Sequence, residues 1–242
     1  MRTLVLQHIA CEPPGVFEDV LLERGAEIHR VELDEGEPLP EWRGFDAIVA
    51  MGGPMSVNDD AELPWLTREK RLIADAVRAG VPYWGTCLGV QLLAAALDAP
   101  VYPGSTPEVG LMTVSLTEEA EVDPVFVGVP RELLTLQWHG DTFDLPEGAT
   151  RLAGSAEYPN QAFRWGKFAY GVQFHVEVSA EMAASWAEVP AYSEYLERVL
   201  GPGSLDKLVG DLGASETEIR SHGRRMFERW LDASSPGGSA TR

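Results

Sequence analysis

The sequence predicts an α/β fold, a mostly parallel sheet with helices on both faces. Three observations carry that prediction. Short apolar runs alternate with amphipathic stretches of helical spacing through residues 1–100. Glycine or proline falls where most of these runs should stop. After that the texture changes, first to strands joined by turns and then to a closing series of helices.

Taken in order, "RTLVLQHI" reads as a short buried strand ended by "CEPPG". "VFEDVLLERGA" has helical apolar spacing closed by Gly25, and "EIHRVEL" follows as a strand. "FDAIVAMGGP" is a further strand running into Gly52, Gly53 and Pro54. "LPWLTREKRLIADAVRAG" is an amphipathic helix capped by Gly80; "VPYWGTC" is then a strand and "LGVQLLAAALDA" a helix. Strand and helix alternating in this way predict a flavodoxin-like, doubly wound sheet.

In the second half, "EVGLMTVSLT", "ELLTLQWHG" and "TRLAGSAEYPNQAFRWGKFAYGVQFH" read as strands with little helix between them. They either extend the sheet or form a small antiparallel element. From Ser179 four helices are expected: "SAEMAASWAEV", "AYSEYLERVLG", "SLDKLVGDLG" and "SETEIRSHGRRMFERWLDA". Met226, Phe227 and Trp230 recur at helical spacing and predict a core-facing stripe rather than an exposed dimer surface. The organisation is then a main domain over 1–190, a helical extension of it over 191–233, and a Ser/Gly-rich tail at 234–242 expected to be disordered.

With 38 acidic against 19 basic residues the chain carries a formal charge of −19. No basic stripe is available to displace counterions from phosphates, so nucleic acid is not an expected partner. No segment reaches the roughly 20 apolar residues that span a bilayer, and no membrane association is expected. Two cysteines, Cys11 and Cys87, build neither a disulfide framework nor a CxxC metal pair. A cytoplasmic setting without metal or other cofactor is the simplest expectation.

Cys87 lies between Gly85 and Gly89 where a strand becomes a helix. A nucleophile on such a turn projects above the sheet, and the tight backbone needs small neighbours. The helix N-terminus favours a thiolate, and the N–H of Leu88 is placed to donate to an oxyanion. The alternative is an inert buried cysteine. A nucleophilic thiol needs a base, and the base an orienting group. "YGVQFHVEVS" reads as a strand ending in His175, with Glu177 on the same side two residues on. His8, His29 and His222 suit structural or surface roles. In "AMGGPMSVND" the glycine pair allows a backbone N–H to face a developing oxyanion, or simply makes a turn.

Together, Gly-Gly-Pro, "GTCLGVQ" and "GVQFHVE" resemble the class I glutamine amidotransferases over residues 1–190, and among them stand-alone proteins similar to the glutaminase domain of GMP synthase. The resemblance implies that Cys87 attacks the γ-carboxamide of a glutamine-like substrate, His175 moves the proton and Glu177 orients His175. It implies an oxyanion hole from Gly53 and Leu88, and contacts to the substrate from Gly52 and Gln91. "LQWHGD" resembles the family loop that binds the amino-acid end, which carries over Trp138, Gly140 and Asp141. His139 in that segment is not the expected base, because the glutamate partner belongs to His175. Three positions depart from the family pattern: Val176 stands for a frequent proline, Leu88 for an aromatic residue, and Trp138 for a small polar one. Trp138 predicts a reshaped entrance suited to a larger apolar leaving group.

No GxxxxGK[ST] loop occurs, so no nucleotide-driven synthetase is expected within the chain. Three functions remain open. One is a glutaminase passing ammonia to a separate synthetase subunit. The second is a self-sufficient hydrolase or peptidase of small-molecule γ-glutamyl conjugates. The third is a non-catalytic binding or regulatory protein on the same scaffold.

Overall fold

The structure is a computed structural model that describes residues 1–234. In chain order the elements are β1 (Arg2–Gln7), α1 (Val16–Glu23), β2 (Glu27–Glu32), β3 (Ala47–Ala50), α2 (Trp65–Arg78), β4 (Tyr83–Thr86), α3 (Leu88–Ala96), β5 (Val101–Leu116), α4 (Glu118–Val122), β6 (Glu132–Phe143), β7 (Ala149–Gly154), β8 (Ala162–Trp165), β9 (Ala169–Val172), α5 (Ala180–Trp186), α6 (Pro190–Leu200) and α7 (Ser204–Ser234). The nine strands make one sheet, ordered β2-β1-β3-β4-β9-β8-β7-β5-β6. Its first five strands pair in parallel, in the doubly wound order expected. The rest pair antiparallel and continue the same sheet, so of the two alternatives the extension holds.

The parallel strands β1, β3 and β4 are buried almost throughout because helices cover both faces, which is why their sequences are continuous apolar runs. One face packs against α2 and α3, with Leu66, Ile73, Val90 and Leu93 in the core. The other packs against α1 and α7. There Phe17 stacks on Phe227 at 4.6 Å between ring centroids, and Trp84 meets Phe227 edge-on at 5.5 Å. Met226, Phe227 and Trp230 are fully buried, so the core-facing reading holds.

Two helical expectations are corrected. "SLDKLVGDLG" and "SETEIRSHGRRMFERWLDA" form one helix, α7, running through Gly210 and Gly213. A mid-helix glycine costs only about 1 kcal/mol. Here the buried stripe Leu208, Leu212, Ile219 and Gly223 continues in phase across both glycines, so packing outweighs that cost. Ser234 belongs to α7, and the remainder of the expected tail lies outside the described residues. No described helix is long and apolar enough to cross a membrane.

Candidate active site

Parallel pairing places Thr86 beside Val172 at the C-terminal ends of β4 and β9. Each chain then leaves the sheet on the same rim, and Cys87 and His175 meet there. Cys87 is the hinge between β4 and α3, with φ 53° and ψ −108°, a conformation rarely taken by a residue with a side chain. Its N–H donates to Val172 O at 2.9 Å, and the Tyr83 hydroxyl braces the first helical turn by donating to Gly89 O at 2.7 Å. The turn is closed so tightly that a Cβ at Gly85 would lie 2.5 Å from that same carbonyl oxygen.

His175 is not at the end of a strand. β9 stops at Val172, and His175 forms an isolated bridge with Leu136 of β6, exchanging both backbone hydrogen bonds at 2.8 and 3.1 Å. That bridge steers the segment from the parallel rim across to the antiparallel half. His175 Nδ1 and Glu177 Oε1 are 2.6 Å apart, and Glu177 Oε2 accepts the N–H of Val176 at 3.0 Å. Both side chains are buried. The edge of Trp186 closes over the imidazole at 4.8 Å between centroids. With Nδ1 engaged by Glu177, Nε2 is the ring nitrogen left for Cys87, which lies near enough to act on the imidazole. Burial works against a charged ring, but Glu177 and Cys87 outweigh it and raise His175 well above the ordinary histidine pKa.

A cavity of about 220 Å³ opens over Cys87. Of the residues singled out from sequence, Gly53, Leu88, Gln91, Trp138, Gly140 and Asp141 line it with Cys87, while Gly52, His175 and Glu177 do not. The N–H groups of Gly53 and Leu88 donate to no group among the described residues. Neither Gly52 nor Gly53 has a left-handed φ; crowding is what requires glycine there. A Cβ at Gly53 would lie 2.8 Å from the Cβ of His8 and 3.2 Å from Leu88 Cδ2.

"LQWHGD" is not a loop: it belongs to β6, where His139 pairs with Glu108 and Trp138 with Val109 of β5. His139 also has a glutamate of its own, its Nε2 lying 3.1 Å from Glu108 Oε2, so possession of a glutamate does not separate the two histidines. The influence of Cys87 on His175 does; both His139 nitrogens are taken, by Glu108 and by Asp141 O.

Several neighbours of the site were not found from sequence. Gln173 Nε2 approaches Cys87 Sγ at 3.6 Å, and Gln173 Oε1 accepts from Gln91 Nε2 at 3.1 Å, so the two glutamines brace the thiol together. Only the motif "GVQFH" could have flagged Gln173. From α6, Tyr192 and Tyr195 wall the cavity, and Trp138 packs edge-on to Tyr192 at 5.9 Å. Tyr192 donates to the buried carboxyl of Glu12, which burial holds above the ordinary glutamate range despite nearby His175. His29 and His222 do not line the cavity. Both cysteines are free, and the described residues contain no cluster suited to a metal ion.

Known proteins match the chain over most of its length. The family model for class-I glutamine amidotransferases matches residues 16–185. The chain is 34% identical over 185 residues to the glutamine amidotransferase-like protein YfeJ of Salmonella typhimurium, covering 75% of this chain and 77% of that one. Against the glutamine-hydrolysing GMP synthase of Syntrophomonas wolfei it is 37% identical over 134 residues, 54% of this chain but 24% of that protein. The crystal structure of a glutamine amidotransferase from Thermotoga maritima superposes with a TM-score of 0.86 at 33% identity, over 96% of this chain and 98% of that one. The chain belongs to the class I glutamine amidotransferase family.

Proposed function

We propose that this family member cleaves a γ-glutamyl amide by cysteine catalysis, through a γ-glutamyl thioester. The observation that carries the reading is the buried His175–Glu177 pair acting on Cys87, which lines a cavity together with Gly53 and Leu88, two residues whose N–H groups have no partner among the described residues. The Cys87 thiolate attacks the γ-carbonyl carbon; a C–S bond forms and the carbonyl π electrons move to oxygen. The N–H groups of Leu88 and Gly53 receive that oxyanion, and losing one such donor costs on the order of 10²–10³ in rate. As the oxyanion collapses, His175 Nε2–H protonates the departing nitrogen and the C–N bond breaks. Water then attacks the thioester and yields its proton to His175, and glutamate leaves with the thiolate restored. Glu177 keeps Nδ1 protonated throughout and so fixes the tautomer. Gly52, Gln91, Trp138, Gly140 and Asp141 hold the amino-acid end of the substrate.

Two leaving groups fit this chemistry. Kinship with GMP synthase supports glutamine as substrate, with ammonia passed to a separate synthetase subunit. The aromatic wall of Trp138, Tyr192 and Tyr195 supports a larger γ-glutamyl conjugate, cleaved without a partner. The two free cysteines fit a reducing cytoplasm. The test compares hydrolysis of L-glutamine and of a γ-glutamyl anilide by the purified protein, with Cys87→Ala as blank. Faster anilide cleavage supports the conjugate hydrolase, and preferred glutamine supports the ammonia donor. Full activity in Cys87→Ala refutes the nucleophile, and turnover of neither substrate by the wild type alone leaves a glutaminase gated by its partner or a binding role.

A further inference from the structure

We propose that His8, held by Glu69, is a latch that sets the direction of the Gly52–Gly53 peptide and thereby forms half of the oxyanion hole. The proposal rests on the amidohydrolase reading above. His8 is fully buried, directly follows β1 and is not among the residues that line the cavity. Its Nδ1 lies 3.2 Å from Gly52 O and its Nε2 lies 2.9 Å from Glu69 Oε1. Trp65, one turn before Glu69 on α2, stacks on the imidazole at 5.8 Å between centroids, 25° from parallel. Two residues of one helix face thus fix the ring from its edge and its face.

The direction of the bond to Gly52 is not ambiguous. A carbonyl oxygen only accepts, so Nδ1 carries the proton whether Glu69 takes a hydrogen bond from Nε2 or gives one to it. No cis peptide occurs among the described residues, and in a trans peptide the C=O and the following N–H point in opposite directions. With Gly52 O drawn toward His8, the N–H of Gly53 faces away from it. Gly53 lines the cavity with Cys87 and Leu88, whereas His8 does not, and the Gly53 N–H has no partner among the described residues. On this reading, facing away from His8 turns that N–H toward the cavity shared with Leu88, the other free N–H at Cys87. A glycine pair is otherwise free to flip this peptide, which would aim a carbonyl instead of a donor at the developing negative charge. Hydrogen bonds in series also polarise one another, so a proton on the Gly52 oxygen side strengthens the Gly53 donor. Burial opposes charge on His8, but Glu69 and the Gly52 carbonyl outweigh it and raise its pKa, in keeping with a ring that donates.

His8 is a positioning residue on this reading, and three variants test it. His8→Leu removes the donor, His8→Asn returns an N–H near the Nδ1 position, and Glu69→Gln keeps a hydrogen-bonding partner for Nε2. The readouts are kcat and KM, affinity for a γ-glutamyl semialdehyde whose thiohemiacetal oxygen occupies the hole, and the rate of Cys87 alkylation by iodoacetamide. His8→Leu is expected to lower kcat and semialdehyde affinity by about 10²-fold, with KM and alkylation within about twofold. His8→Asn is expected to recover most of both losses, and Glu69→Gln to stay within about tenfold of wild type. Equal loss in His8→Leu and His8→Asn, or alkylation falling in parallel with kcat, would overturn the latch in favour of a packing role. A crystal structure of His8→Leu decides independently of turnover: a Gly52–Gly53 peptide unchanged in direction overturns the latch, and a flipped or disordered one supports it. An inactive wild type with a flipped peptide in the variant would instead refute the amidohydrolase reading alone.

Discussion

Adding one methyl group at Gly85 tests how the cysteine is presented. In Gly85→Ala the new Cβ would lie 2.5 Å from Gly89 O, 2.6 Å from its carbonyl carbon and 2.8 Å from Tyr83 Cε1. Ordinary contact begins near 3.4 Å, so the first turn of α3 must retreat from β4 by about 0.9 Å. The Tyr83 hydroxyl loses its bond to Gly89 O in the process, worth about 1 kcal/mol. Overpacking adds about 1–3 kcal/mol. At about 2–4 °C per kcal/mol for a chain of this size, the midpoint of thermal unfolding should fall by roughly 4–16 °C. A displacement near 1 Å at the nucleophile costs about 10²-fold in rate. The assay is kcat/KM on the better of the two γ-glutamyl substrates, with thermal unfolding followed in parallel. Gly210→Ala is the control, since that exposed helical position has nothing within 4 Å of an added Cβ, and alanine there should stabilise by about 0.5–1 kcal/mol. Activity within threefold of wild type and an unchanged midpoint in Gly85→Ala would refute the claim that this contact positions Cys87.

Two further predictions concern carboxyl groups. Glu177→Gln keeps an oxygen able to accept from His175 Nδ1 but removes the charge that raises His175, so kcat should fall roughly 10²–10⁴-fold with KM little changed. A variant as active as wild type at neutral pH would remove Glu177 from the mechanism. Glu12→Gln tests the buried acid beneath Tyr192, whose folded pKa lies above the ordinary glutamate value. An acid shifted upward binds its proton more tightly in the folded protein, so wild-type stability falls as pH rises from about 4.3 through the folded pKa. Glutamine carries no such liability, and the stability of Glu12→Gln relative to wild type should increase with pH across that window. Urea midpoints at several pH values measure it; a difference independent of pH would mean that Glu12 is not held protonated.

The sequence was most readable where local pattern and function coincide. Apolar runs bounded by glycine marked the parallel strands, because strands covered on both faces need no alternation. The spacing around Cys87 and His175 brought forward residues that the fold does unite. Partners donated from distant elements were not readable. Glu69 sits in the charged string "TREKR" on α2 and reads as a solvated face, yet tertiary packing buries it completely against His8. Tyr192 and Tyr195 belong to a helix whose amphipathic pattern says only that one side is buried, not that part of it walls a cavity. The end of β9 was misread because an extended segment after Val172 looks like strand in sequence, while its partner, Leu136, lies on the antiparallel side.

That misreading points to why the site lies where it does. A purely parallel sheet would have no antiparallel strand to anchor the His175 segment near Cys87. Here β9 is the final parallel partner of β4 and at the same time the first antiparallel partner of β8. The chain leaving β9 is therefore caught by β6 through the His175–Leu136 bridge, which directs the imidazole back over the turn at Cys87. β6 also supplies Trp138, Gly140 and Asp141 to the cavity, so the strand that anchors the His175 segment also walls the cavity. Positions 133–136 of β6, remote from the cysteine in sequence, should consequently influence the rate through register rather than contact. A deletion of one residue there would reverse the sidedness of Trp138 and Gly140 along with the bridge.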